Sequence, residues 1–155
     1  MAQMELFETN TQQKPKDRDE IDALNADVKV QMEIHRLMGL LRFSPEPDGT
    51  YIARCAPDHF ILPALAEHFT LRFGNIPWAI IDEKRGLCLC KNADSPARLI
   101  DLPASFEVAE NKHKDSWEDL WRLYHKSANN EARNNTRLQN QLIPKRYQKY
   151  LCEFK

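Results

Sequence analysis

Apolar positions recur with two different periods along this chain, and the alternation between them sketches the fold. Between residues 21 and 41, "IDALNADVKVQMEIHRLMGLL", the residues Val30, Ile34, Leu37, Met38 and Leu41 stand three or four apart. That is one face of an amphipathic helix. "FILPALAEHFTLRF" (60–73) repeats the pattern with Leu62, Leu65, Phe69 and Phe73. Pro63 suits its first turn, where a missing N–H costs little, and Gly74 suits its end. "SWEDLWRLYHKSAN" (116–129) puts Trp117, Leu120, Trp121 and Tyr124 on one helical face behind a Ser116 cap. This aromatic stripe is expected to be buried, because an exposed one would be a docking or aggregation surface.

Strand patterns fall between the helices. "TYIARCA" (50–56), "PWAIIDE" (77–83) and "LCLCK" (87–91) read as strands, the last two joined by a tight "KRG" turn into a hairpin. "SPEPDG" (44–49) is turn chemistry. A short strand is expected over 98–102 within a stretch, 92–115, that is otherwise loop. A short helix fits within 129–143, and Pro144 opens another at its first position. Residues 1–20 are polar and read as a disordered lead-in. The expectation is a single α+β domain over 21–155, its helices packed on a small antiparallel sheet.

Composition narrows the class. The chain has 155 residues, 42% hydrophobic and 29% charged, enough for one domain with a real core. No apolar run reaches the roughly 18 residues a membrane helix needs, and no signal pattern opens the chain, so a cytoplasmic location is expected. The four cysteines form no tight framework, and Cys88 and Cys90, two apart on one strand, read as small apolar side chains. The histidines at 35, 59, 68, 113 and 125 lack the spacing of a metal motif, and no phosphate-cradling glycine loop is present. Neither a metal nor a cofactor is expected.

Charge changes the picture. Residues 1–110 hold 12 Lys and Arg against 18 Asp and Glu, whereas residues 111–155 hold 10 against 5. The two parts, −6 and +5, reproduce the net charge of −1. Between 122 and 150 seven basic residues face one acidic residue, Glu131. Such a segment suits an anionic partner, with a solvated basic face as the plain alternative. Arg133, Arg137, Lys145, Arg146 and Lys149 can neutralise phosphates, and Asn134 and Gln139 carry amides for phosphate or base edges. Tyr147 can stack on a base or anchor the last helix.

Candidate catalytic residues stand upstream. Asp58 and His59 lie between a strand and a helix, and Asp82 and Arg85 flank the hairpin turn. An Asp–His pair could supply a general base and its orienter for attack on a phosphodiester or glycosidic bond. Each also has a structural role to fill: Asp58 as a helix cap, Asp82 with Arg85 as a turn closure. If they form a site, the four must meet in one place.

The closing stretch "RNNTRLQNQLIPKRYQKYLCEF", together with "EIHRLMGLLRF", "PDHFILPALAEHFTLRF", "PWAIIDEKRG" and "DLWRLYHKSA" upstream, resembles a bacterial family of DNA metabolism and DNA repair proteins whose shared domain is of unknown function. The blocks cover about residues 28–154 in order. Asn135-Thr136 stand where the family often has one Pro, and Gln148 where it has Trp. The resemblance implies a role in DNA repair or modification beside a separately encoded radical S-adenosylmethionine protein, or a uracil-DNA glycosylase-like one. This chain has no cysteine triplet for a radical S-adenosylmethionine cluster of its own. Two other readings stand beside this one: a protein–protein adaptor docking through the Trp117–Tyr124 face, and a stand-alone nuclease or glycosylase.

Overall fold

The computed structural model describes residues 18–103 and 116–154, with the backbone alone at 18–21 and 24. The expected lead-in therefore lies largely outside the described residues, but its last part does not: helix α1 begins at Arg18 and runs to Leu40. Five strands follow one another across a single sheet: β1 (Phe43–Pro45), β2 (Tyr51–Cys55), β3 (Trp78–Asp82), β4 (Leu87–Lys91) and β5 (Arg98–Asp101). Helix α2 (Leu62–Phe73) sits between β2 and β3, and α3 (Ser116–Ala128) follows the sheet. A 3-10 turn (Glu131–Arg133), α4 (Thr136–Leu142), α5 (Lys145–Gln148) and a second 3-10 turn (Cys152–Phe154) complete the α+β fold.

The sheet is not wholly antiparallel. β1–β2, β3–β4 and β4–β5 are antiparallel, but β2 and β3 run parallel, with Tyr51 opposite Trp78 and Cys55 opposite Asp82. The cause is α2, since a crossover helix returns the chain in its original direction. The stretch 44–49, expected as turn alone, also contains the end of β1. Pro45 is tolerated there because β1 is an edge strand. Glu46 N donates to Thr50 O at 2.8 Å, closing the β1–β2 hairpin, and Gly49 takes φ 86°, a conformation that favours glycine.

The predicted apolar faces meet over the sheet. Leu37 of α1, Leu41 just past its end, and Leu62, Leu65 and Phe69 of α2 pack with Ala53, Cys55, Trp78, Ile80 and Leu89. Phe69 lies 6.1 Å from Trp78 and 5.1 Å from Phe43, ring to ring. The C-terminal segment belongs to this core too. Tyr147 is buried within the same cluster, and Leu151 has no exposed surface.

The aromatic face of α3 departs from expectation. Trp117 is 73% exposed, Leu120 56%, Trp121 41% and Tyr124 60%, and α3 buries no residue. The helix is held by its polar side instead. Glu118 accepts from the Ser44 hydroxyl at 3.3 Å and, with Asp119, pairs with Arg122. The amphipathic period is real, but it marks an outward face. No helix among the described residues is long and apolar enough to cross a membrane.

Candidate functional site at the ends of the parallel strands

Two parallel strands deliver two loops to the same end of the sheet. Residues 57–59 follow β2, and residues 83–86 follow β3. The ladder continues one step past the strands, with Glu83 N donating to Cys55 O at 2.9 Å. The carboxyl ends of parallel strands are where α/β sheets gather functional loops.

Asp82 and Arg85 build the second loop. Asp82 is fully buried. Its Oδ1 accepts from the backbone N–H groups of Lys84 and Arg85, at 3.0 and 3.3 Å, and its Oδ2 pairs with the Arg85 guanidinium at 2.9 Å. Gly86, at φ 65°, completes the turn. Arg85 then reaches across to the first loop, donating to Pro57 O at 3.0 Å and Asp58 O at 2.7 Å. One guanidinium thus locks both loops, with the planar multidentate geometry that Arg alone provides.

The first loop is held from the other side by Glu33 of α1, whose side chain is nearly inaccessible. Glu33 Oε1 accepts from Asp58 N at 2.8 Å and from the Tyr147 hydroxyl at 2.5 Å. Oε2 accepts from His59 N at 2.9 Å and lies 2.6 Å from His59 Nδ1. All of the carboxylate's roughly four acceptor sites are occupied. Burial alone would push the Glu33 carboxyl up, but the bonds from Tyr147, Asp58 and His59 outweigh it and bring its pKa down to about 2. Burial, and donation to Glu33, push the Tyr147 phenol up to about 12. Both shifts leave the proton on the tyrosine.

A carboxylate only accepts, so the proton on this side of the His59 ring sits on Nδ1. Nε2 is then the nitrogen left for other partners, on a side chain 41% exposed. A ring oriented through Nδ1 by a buried carboxylate is the geometry of a general base with its orienter. The orienter is Glu33, not Asp58. Asp58 does not cap α2 either, whose N-cap is Ile61 without a side-chain bond. It pairs instead with Arg146 at 2.7 Å and Lys84 at 3.7 Å.

Asp58, His59, Asp82 and Arg85 are therefore brought together, and the C-terminal segment joins them. Arg146 reaches Asp58, while Lys149 (3.6 Å) and the Tyr150 hydroxyl (2.6 Å) meet Glu83. Burial and that bond raise the Tyr150 pKa. The eight residues expected to contact nucleic acid divide. Arg133, Asn134, Arg137 and Lys145 are exposed, and Gln139 is half-buried. Arg146 and Lys149 are exposed but paired with acidic residues. Tyr147 is 2% exposed, so its ring cannot stack on a base and anchors the segment instead. Arg133 and Arg137 are not one helical turn apart, because the non-helical residues Asn134 and Asn135 separate their two elements.

Glu33 is hidden among the polar residues of a helix pattern, where nothing local distinguishes a buried carboxylate from a solvated one. Glu83 is equally silent in sequence, whereas Tyr150, a candidate base-stacker or helix anchor by sequence, serves as an anchor through Glu83. Among the described residues no three His, Cys, Asp or Glu side chains are grouped as a metal ion would need.

Fold and site define a mixed-sheet α+β domain with a clamped polar cluster at the ends of its parallel strands. The chain belongs to the family of domain of unknown function 4130, whose model matches residues 3–153. No curated protein and no solved structure matches it.

Proposed function

We propose that this domain binds nucleic acid through its C-terminal segment and serves a DNA repair or modification pathway alongside a separately encoded enzyme. The observation that carries the reading is the state of Arg133, Arg137 and Lys145. All three are exposed, and none makes an ion pair among the described residues. Three uncompensated cations within thirteen positions, with the amides of Asn134 and Gln139 among them, suit contact with a phosphate backbone. Arg146 and Lys149 extend the run but are tied to Asp58 and Glu83, so they contribute less. The resemblance of the closing stretch to DNA metabolism proteins supports DNA as the polyanion. It also supports a radical S-adenosylmethionine or uracil-DNA glycosylase-like protein as the partner.

The test is fluorescence anisotropy with a labelled DNA oligonucleotide and the triple variant Arg133→Ala, Arg137→Ala, Lys145→Ala. Weaker binding with an unchanged circular dichroism spectrum is the expected result. Equal binding by both proteins would reject the reading.

A further inference from the structure

We propose that the aromatic ridge of α3 is a stacking platform for unpaired bases, so that the nucleic acid taken by this domain is single-stranded or locally opened. This rests on the reading of Arg133, Arg137 and Lys145 as backbone contacts. It assigns a second role, on a different element, to residues that role does not use.

The ridge is built for contact. Trp117, Trp121 and Tyr124 follow one another at four and three residues along one helical face, all exposed. From first to last they span roughly 10 Å of helix axis. The Trp121 and Tyr124 rings lie 5.6 Å apart with an interplanar angle of 32°, presenting broad faces rather than one closed edge-to-face pair. A polar helix side fixes the platform, through Glu118 to Ser44 and through Arg122 to Glu118 and Asp119. Arg122 offsets one of the two acidic charges of α3, and Lys126 balances the other.

Charge selects the occupant. With Glu118 and Asp119 paired internally, the helix carries His125 and Lys126 in its last turn. Past one acidic residue, Glu131, the chain continues to Arg133 and Arg137, both exposed and without an ion pair among the described residues. An apolar ridge continued by cations of one sign matches a single strand, whose bases offer flat apolar faces and whose backbone is anionic. A paired duplex keeps its base faces stacked inside and offers the ridge nothing. A second copy of this chain would set like charges against like at the same rim.

The experiment uses the full chain, a single-stranded thymidine oligonucleotide and a duplex of equal length. Tryptophan fluorescence reads the ridge selectively, because the third tryptophan, Trp78, has no exposed surface. The single strand should quench the fluorescence and bind more tightly than the duplex. Trp121→Ala should weaken single-strand binding roughly 5- to 100-fold. Trp121→Phe should restore most of it and Trp121→Leu should not, since only the aromatic ring stacks. If Trp121→Ala leaves single-strand binding unchanged while the triple cation variant still weakens it, stacking is overturned and the backbone reading survives. If neither variant matters, both readings fall. If Trp121→Ala instead converts a sedimenting dimer to a monomer without affecting the oligonucleotide, the ridge is an interface between copies and the proposal is wrong.

Discussion

Tyr147 donates its hydroxyl to Glu33 at 2.5 Å across 114 positions of sequence, joining the first helix to the last. Both side chains are buried, and the same carboxylate holds the backbone of Asp58 and His59. Three distant parts of the chain therefore share one acceptor. Tyr147→Phe leaves a buried oxygen of Glu33 short of a donor, which should cost about 1–3 kcal/mol. Urea unfolding should show the midpoint falling. In a double-mutant cycle with Glu33→Ala the two changes should be strongly non-additive, because both remove the same bond. Additive effects would place the two residues in separate environments.

Acid should loosen this junction with a defined sign. The Glu33 pKa is about 2 in the fold against an ordinary 4.5. Between those values the unfolded chain binds the extra proton, so stability rises with pH. The contribution is complete above about pH 5 and is lost progressively as pH falls from about 4.5 to 2. Its size is at most about 3 kcal/mol. Unfolding free energy measured from pH 6 to pH 2 should fall more steeply for the wild type than for Glu33→Gln. Parallel curves would mean that Glu33 is not the group being protonated.

The two ends of the loop clamp should respond very differently. Arg85→Met strips from the buried Asp82 carboxylate its one side-chain cation among the described residues, and it frees the carbonyls of Pro57 and Asp58. A loss of about 3 kcal/mol is expected. Among the described residues, Asp58→Ala breaks two pairs whose members are all about half exposed, those with Arg146 and Lys84. Such pairs contribute less than about 1 kcal/mol. Thermal unfolding of the two variants side by side checks the contrast, and equal losses would contradict it.

Much of this architecture is legible in the order of residues alone. The faces of α1 and α2 and the β3–β4 hairpin follow from period and turn chemistry, which are local. The parallel pairing of β2 with β3 does not follow, since strand direction depends on where α2 sends the chain. Nor does the outward face of α3, because period reveals that a helix has an apolar side but not whether anything covers it. Asp58, His59, Asp82 and Arg85 are visible as polar residues at strand ends. Their organiser, Glu33, is not, since its burial is decided by Tyr147, which joins α1 only after folding. The same fact explains Tyr147 itself. In sequence it sits among exposed cations, and in space it belongs to the core.

The stability of the fold should be indifferent to Arg133, Arg137 and Lys145, which make no ion pair among the described residues. Replacing all three with alanine should change unfolding free energy by no more than about 0.5 kcal/mol per site. That leaves DNA affinity as a clean readout. Titrating a labelled oligonucleotide at several salt concentrations gives the slope of log affinity against log salt. Each lost phosphate contact should flatten the slope by roughly 0.7 for a single strand or 0.9 for a duplex. For the triple variant we predict weaker binding and a slope shallower by roughly 2–3 in total. A folded triple variant with wild-type affinity and wild-type salt slope would contradict nucleic-acid binding by this segment.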